Sequence, residues 1–160
     1  SKDKAEELFA IYHQRVPFVK TLMKSVSNRA QQRGQIRTLL GRLCRFHLWE
    51  PNRFGINKAL PFEQAVQEHG QGNIRRAYTY KALNKLIQGS AADMTKKSML
   101  DLYKEGIIAH IQIHDELDLS VESPEQAKKV VEIMENAVKL DVPNKVDYES
   151  GKNWGDIYDK

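Results

Sequence analysis

At 160 residues and 18.4 kDa the chain has room for one domain or two small lobes, and 41% apolar with 29% charged residues is an ordinary globular balance. No apolar run approaches the roughly 20 residues of a membrane helix, charges cut through any secretory core in SKDKAEELFA, and the lone Cys44 excludes an internal disulfide framework and points to a reducing compartment. The net charge of +4 conceals an asymmetry: residues 1–80 carry 14 Lys+Arg against 6 Asp+Glu, residues 81–160 carry 11 against 15, and all nine arginines lie between Arg15 and Arg76, so one half suits an anion and the other holds carboxylates.

Taken from the N-terminus, residues 3–14 predict a helix with Ala5, Leu8, Phe9 and Tyr12 on one face. Pro17 resets the chain for a second helix, with Val19, Leu22, Met23, Val26 and Ala30 at helical spacing and Gly34 as its stop. Residues 35–40 and 43–48 flank Gly41 as a short hairpin. From Trp49 to Gly72, Pro51, Gly55, Pro61, Gly70 and Gly72 predict loop with one short helix near 61–68, and the boundary between two lobes is placed here. A long helix is expected from about Asn73 to Lys104, broken or bent near Gly89 and ended by Gly106. Ile107, Ala109, Ile111 and Ile113 then alternate with Ile108, His110 and Gln112, and Leu117, Leu119 and Val121 with Asp118, Ser120 and Glu122, which predicts two strands joined by a tight turn at His114-Asp115-Glu116. Ser123-Pro124-Glu125 opens a helix that buries Ala127, Val130, Val131, Met134, Ala137 and Val138. Val146 and Tyr148 predict a last short strand, with Trp154 anchoring the tail. The order gives an antiparallel sheet covered by helices on one face, an α+β plan.

Three features carry chemistry. The turn His114-Asp115-Glu116 sets adjacent carboxylates on a strongly apolar platform, and exposed oxygen donors of this kind suit Mg²⁺, which binds through one or two carboxylates and keeps its waters. The bland alternative is a solvated polar turn. A zinc site from His110 and His114 is excluded, because four strand residues set the two side chains ~13 Å apart. In NKLIQGSAAD, Asn84 and Gln88 share a helix face and can hydrogen-bond base edges or sugars, whereas Gly89, Ser90, Ala91 and Ala92 fit equally a close helix contact. Between Arg15 and Arg53 nine basic residues stand beside one acid, Glu50, a density that reads as a phosphate-contacting surface, with Phe46, Tyr78 and Tyr80 available for stacking. Its alternative is a solvated helix face.

These segments together resemble the C-terminal part of a family A DNA polymerase, the class of bacterial DNA polymerase I and its phage relatives. Thr38-Leu39-Leu40-Gly41-Arg42 is similar to the family's TLxGR segment, Asn84 through Asp93 to its NxPxQGTAAD, and Ile111 through Leu117 to its motif C with the VHDE core. Val146 to Trp154 is similar to its C-terminal strand and terminal tryptophan. The resemblance covers nearly the whole chain and is weakest at 49–73.

The resemblance implies a palm-type antiparallel sheet carrying the motif C hairpin and packed against several helices, with residues 1–72 as part of the fingers and 73–160 as a palm segment. It implies that Asp115 binds catalytic Mg²⁺, that Glu116 shapes the metal site or primer terminus, and that His114 lies near the primer strand. Asn84 and Gln88 are then contacts to the template–primer duplex, and Arg42 and Arg75 contacts to its backbone. The implied reaction is DNA-templated nucleotidyl transfer with two Mg²⁺ ions, on template–primer DNA and deoxynucleoside triphosphates, in the cytoplasm of a bacterium or phage-infected cell, with no membrane partner. Where the family often has Glu-Arg before the asparagine, this chain has Thr79-Tyr80.

The family's other metal-binding aspartate, in motif A, lies upstream of what the chain covers. The expectation is therefore an excised fragment or one subunit of a split polymerase, inactive without an N-terminal portion carrying motif A. Two other readings make different demands. A non-catalytic nucleic-acid-binding module with a polymerase-like fold needs only the basic surface. An unrelated Mg²⁺-dependent nuclease or phosphatase needs a further carboxylate near Asp115, for which Asp118 is the candidate.

Overall fold

The Ser1 hydroxyl accepts from the Lys4 N–H and starts helix α1 (Lys2–Arg15). Helix α2 (Pro17–Arg33) begins on a proline whose missing N–H is not needed there, and ends at Gly34, which takes the left-handed φ of 67°. Of α2 only Val26 and Ala30 are buried, and of α1 nothing is. Helical spacing thus predicted both elements, but Leu8, Phe9, Tyr12, Phe18, Leu22 and Met23 stay exposed. The computed structural model describes residues 1–55 and 57–158.

The expected hairpin after α2 forms with shorter strands. β1 (Gln35–Arg37) and β2 (Leu43–Arg45) pair antiparallel, with Ile36 opposite Cys44. Val26, Ala30, Ile36, Phe46 and Ala82 make one core cluster, with Cys44 and Leu86 packed against it. The segment expected to be mostly loop contains a second ladder: β3 (Trp49–Pro51) pairs antiparallel with β4 (Ile74–Arg76), and Trp49 also bridges to Leu60. Helix α3 (Phe62–His69) lies between them in sequence, close to the expected span.

The long helix starts later than expected and runs unbroken through Gly89. Residues 74–76 are spent on the β4 ladder, Tyr78 turns the backbone left-handed at φ 62°, and a single 3₁₀ turn (Thr79–Lys81) precedes α4 (Ala82–Lys104). Helical periodicity in 73–81 was overridden by pairing with a strand more than 20 residues away, which no local pattern encodes.

β5 (Ile111–Ile113) and β6 (Glu116–Asp118) form the predicted hairpin, with Ile111 opposite Asp118 and Ile113 opposite Glu116. Helix α5 (Pro124–Asn136) follows, its N-terminus capped by the Ser123 hydroxyl, which accepts from the Gln126 N–H at 3.2 Å. Leu102, Ile107 and Val130 form a second core cluster, joined by Leu117, Leu119, Ile133 and Met134. The strand expected at Val146 and Tyr148 does not form. The Val146 N–H instead donates to the Glu135 carboxylate at 3.1 Å, Tyr148 is exposed, and Trp154 is half-exposed just before the short helix α6 (Gly155–Tyr158).

The architecture is α+β, with the described strands arranged as three separate two-stranded antiparallel ladders. Two compact units are present, Ser1–Ser90 and Ala91–Lys160, so the division falls inside α4. No helix among the described residues is long and apolar enough to cross a membrane.

Candidate functional site

The hairpin in the second unit presents His114, Asp115 and Glu116, all exposed. Its loop is two residues long, His114 and Asp115, and only His114 has a positive φ, at 53°. That φ pattern belongs to a type II′ turn, whose first loop position favours glycine. A histidine there holds its backbone in a region that costs ~1–2 kcal/mol for a residue with a Cβ, a strain that persists only where the surroundings impose it. The antiparallel ladder and the Gln112 side-chain amide, which donates to the His114 carbonyl, supply that constraint. The ladder extends by one bond, from the His110 N–H to the Asp118 carbonyl at 2.8 Å, while His110 meets Ser120 at 3.2 Å. His110 therefore has a structural partner of its own.

Cross-strand partners share a face. Leu117 packs into the core cluster, so Glu116, Asp118, Ile111 and Ile113 occupy the opposite face. The sequence pattern grouped the isoleucines of one strand with the leucines of the other as platform; the register puts them on different sides. Ile111 and Ile113 are accordingly 45% and 37% exposed. The shielded Asp118 Oδ2 has no hydrogen-bond partner. The donors gathered on this hairpin are hard carboxylate oxygens, and among the described residues no group of three or more His, Cys, Asp or Glu is assembled for a metal ion. This set fits Mg²⁺ held by one or two carboxylates with the remaining positions filled by water and phosphate, and does not fit a closed all-protein cage.

In the first unit, Asn84 and Gln88 lie exposed on α4, four residues apart and hence on one face. Gly89 and Ser90, which follow them, meet the β1–β2 turn. The Ser90 hydroxyl accepts from the Leu39 N–H at 2.9 Å and donates to the Leu86 carbonyl at 2.7 Å. The Arg42 guanidinium donates to the Gly89 carbonyl at 2.9 Å. A Cβ on Gly89 would stand 3.0 Å from Thr38 Cγ2, so glycine at this position serves close approach. Arg42 is thereby fixed on Gly89, and the TLLGR turn and the NKLIQGS segment are one assembly.

The arginine-rich surface divides by role. Arg75 pairs with Glu50 at 2.9 Å across the β3–β4 ladder. Arg76, which sequence reasoning did not single out, is a strut. Its Nε donates to the Gln31 carbonyl at 3.2 Å, its Nη1 to the Phe46 carbonyl at 2.9 Å, and its guanidinium lies over Gly34 and over the Trp49 ring, 4.5 Å from its centroid. The only sequence signal for it is its position next to Arg75 at the end of a strand that was not foreseen. Arg37 likewise donates to the Gly41 carbonyl. Phe46 is buried at 4% exposure and offers no open ring face, whereas Tyr78 and Tyr80 are exposed.

The model of DNA polymerase family A matches residues 1–156. The chain is 36% identical over 150 residues to a DNA-directed DNA polymerase of Pseudomonas phage M6, covering 94% of this chain and 19% of that protein. It is 36% identical over 165 residues to DNA polymerase I of Bacillus caldotenax, covering 98% of this chain and 17% of that protein. Among solved structures, the POL domain of Pol1 from M. smegmatis, in complex with DNA primer-template and dNTP, superposes with a TM-score of 0.64 at 29% identity over 89% of this chain and 24% of that one. The chain spans about a fifth of the length of these curated relatives.

Proposed function

The chain belongs to DNA polymerase family A, and from that premise we propose that it supplies part of the active site for DNA-templated nucleotidyl transfer: the motif C carboxylates and a surface for the template–primer duplex. The observation that carries this reading is the strained two-residue turn that presents His114, Asp115 and Glu116 together at the tip of the β5–β6 hairpin. Residues 1–72 act as part of the fingers and 73–160 as a palm segment.

Asp115 is the residue that would hold Mg²⁺, with Glu116 next to it shaping the site and His114 facing the primer strand. When bound, two Mg²⁺ ions supply activation of the primer 3′-hydroxyl and neutralisation of the triphosphate and departing pyrophosphate. The chain's own residues supply a fixed platform and a duplex surface. The hairpin ladder keeps the two carboxylates from wandering, and Asn84 and Gln88 donate to and accept from base edges or sugars along α4. Arg42, anchored on the Gly89 carbonyl, meets the DNA backbone, and Arg75 does so while balanced by Glu50.

In this reading a second metal-binding carboxylate comes from an N-terminal polymerase portion carrying motif A. The partners are then template–primer DNA, deoxynucleoside triphosphates and that portion, in the cytoplasm of a bacterium or phage-infected cell. Primer extension tests this directly. The 160 residues alone are expected to extend nothing, addition of the N-terminal portion to restore extension, and Asp115→Ala to lower the restored rate by 10²–10³-fold or more, on the order seen when one preorganised electrostatic group is lost. Unchanged extension in the Asp115→Ala complex would refute the metal role, and full extension by the chain alone would refute the need for a partner.

A further inference from the structure

The loop that follows β3 carries cations and no acid. Arg53 and Lys58 are exposed, and residues 51–62 hold no Asp or Glu. No carboxylate pairs with either cation among the described residues. The loop springs from a fixed base: Trp49 and Leu60 exchange both main-chain hydrogen bonds at 2.8 Å, and the Asn52 N–H donates to the Asn73 carbonyl at 2.7 Å. Asn57 ties the tip together, its side-chain amide donating to the Arg53 carbonyl at 3.1 Å and to the Gly55 carbonyl at 3.3 Å. The Arg53 Nε in turn donates to the Asn57 Oδ1 at 3.4 Å. Phe54 stands at the point of this clamp, fully exposed. A lone apolar side chain on a surface is ordinary. Phe54 differs because both of its chain neighbours are tied by one amide, so the ring is held out from the loop between two cations.

We propose that Phe54 is a wedge for fully paired DNA: the ring enters the minor groove between two base pairs, while Arg53 and Lys58 meet the phosphates on either side. Apolar side chains inserted between base steps, with basic residues beside them, unstack the step and kink the duplex by about 20–90°. The minor groove is roughly 6 Å wide, which admits one ring on a narrow loop and excludes a helix. Position favours DNA over an apolar pocket on a protein. Pro51 lies opposite Ile74, one rung from the Glu50–Arg75 pair, and Phe54 is three residues further on, at most about 11 Å along the chain. A duplex lying on Arg75 is then within reach of the ring. The inference rests on the DNA-handling reading above and adds a contact which that reading lacks, because Asn84, Gln88, Arg42 and Arg75 touch edges, sugars and phosphates without entering the stack.

The test uses the full 160-residue chain and a short blunt-ended duplex whose internal fluorophores flank a central TA step, an easily kinked one. Anisotropy gives the affinity, and energy transfer between the fluorophores gives the bend. The parent chain is expected to bend this duplex. Phe54→Ala is expected to abolish the bend and to weaken binding about tenfold, the lower end of what burying a phenylalanine is worth. Phe54→Leu, which keeps an apolar wedge, retains most of the bend, and Arg53→Gln with Lys58→Gln lowers the salt slope by about 1.8, for two phosphate contacts. Circular dichroism checks that these exposed-site variants fold. A parent that binds the duplex without bending it, or a bend unchanged in Phe54→Ala, overturns the proposal in favour of a protein surface for the ring. A Phe54-dependent bend, with affinity unchanged in Asn84→Ala with Gln88→Ala, supports the wedge while refuting the proposed duplex surface. An affinity that falls in that double variant but not in Phe54→Ala does the reverse, and no duplex binding at all refutes both.

Discussion

Replacing Gly89 by alanine sets two effects against each other. In a helix interior alanine is favoured over glycine by about 0.5–1 kcal/mol, because glycine loses more backbone entropy on folding. Against this, the new Cβ would sit 3.0 Å from Thr38 Cγ2 and 3.2 Å from Arg42 Nη2. Neither neighbour yields freely. Thr38 is buried, its N–H donates to the Arg42 carbonyl at 3.0 Å, and its Oγ1 accepts from the Arg42 N–H at 3.0 Å. Arg42 Nη2 is itself bonded to the Gly89 carbonyl. Overpacking of a fixed contact costs about 1–3 kcal/mol, so Gly89→Ala is expected to destabilise the first unit by about 1 kcal/mol. Thr38→Ser removes the offending methyl and keeps the hydroxyl. In that background the helix term wins, and Gly89→Ala is expected to stabilise by about 0.5 kcal/mol. Urea unfolding measures both arms of this cycle, followed by Trp49 fluorescence with Trp154→Phe throughout. Trp49 reports on the first unit because its ring packs against Phe62 at 5.0 Å between centroids. A stabilising Gly89→Ala in the parent, or the same loss with and without Thr38→Ser, would show that the turn does not press on the helix here and refute the reasoning.

Other substitutions probe the strut, the turn and one ion pair. Arg76→Ala strips donors from the Gln31 and Phe46 carbonyls and a cation from the Trp49 ring, and is expected to destabilise by about 3 kcal/mol in the same urea assay, with Arg76→Lys recovering only a minor part because the fork geometry is lost. His114→Gly relieves the positive φ and is expected to raise stability by about 1 kcal/mol while lowering primer extension in the complex with the N-terminal portion. A variant that gains stability and keeps full extension would strip His114 of any role beyond the turn. The Asp101 carboxyl is held below the ordinary aspartate value, chiefly by its hydrogen bond from Lys97, then by Lys104. Carboxyl NMR should show it titrating low, with Lys97→Gln moving it back up. The sign follows: the interaction supports folding above the ordinary aspartate pKa, and that support is lost as the pH falls through the depressed one.

Some of this architecture was legible because its causes are local. Gly34 ends α2, Ser123-Pro124 starts α5, and alternation around His114-Asp115 makes a hairpin, each from residues within a turn of one another. The β3–β4 ladder was not legible: its strands are three residues long, one ends in Pro51, and their partners are distant in sequence. That pairing also shifted the start of α4. The face of Ile111 and Ile113 was missed because alternation fixes which residues of one strand agree with each other, whereas register decides which of them face Leu117. The arginine belt was read from a shortage of acids, which leaves out the commoner acceptor. Arg37, Arg42 and Arg76 all donate to main-chain carbonyls, so a guanidinium is drawn into structure by acceptors that a count of acids leaves out. For the candidate site, sequence placed His114, Asp115 and Glu116 on one turn, and Asn84 with Gln88 on one helix face. It did not anticipate that Arg42 would be clamped on the Gly89 carbonyl, because Gly89 and Ser90 were weighed as helix-packing residues.

The side of the β5–β6 hairpin turned away from Leu117 interleaves isoleucine with carboxylate: Ile113 opposite Glu116, Ile111 opposite Asp118. A flat, uncharged strand pair with exposed isoleucines is a template for self-association, and charges placed among such residues act as gatekeepers against it. Glu116 and Asp118 are therefore expected to keep this ladder from stacking on copies of itself in concentrated solution. Neutralising them with Glu116→Gln and Asp118→Asn leaves a sticky ribbon. Light scattering of that variant would then rise with concentration above the parent's, while circular dichroism reports no unfolding.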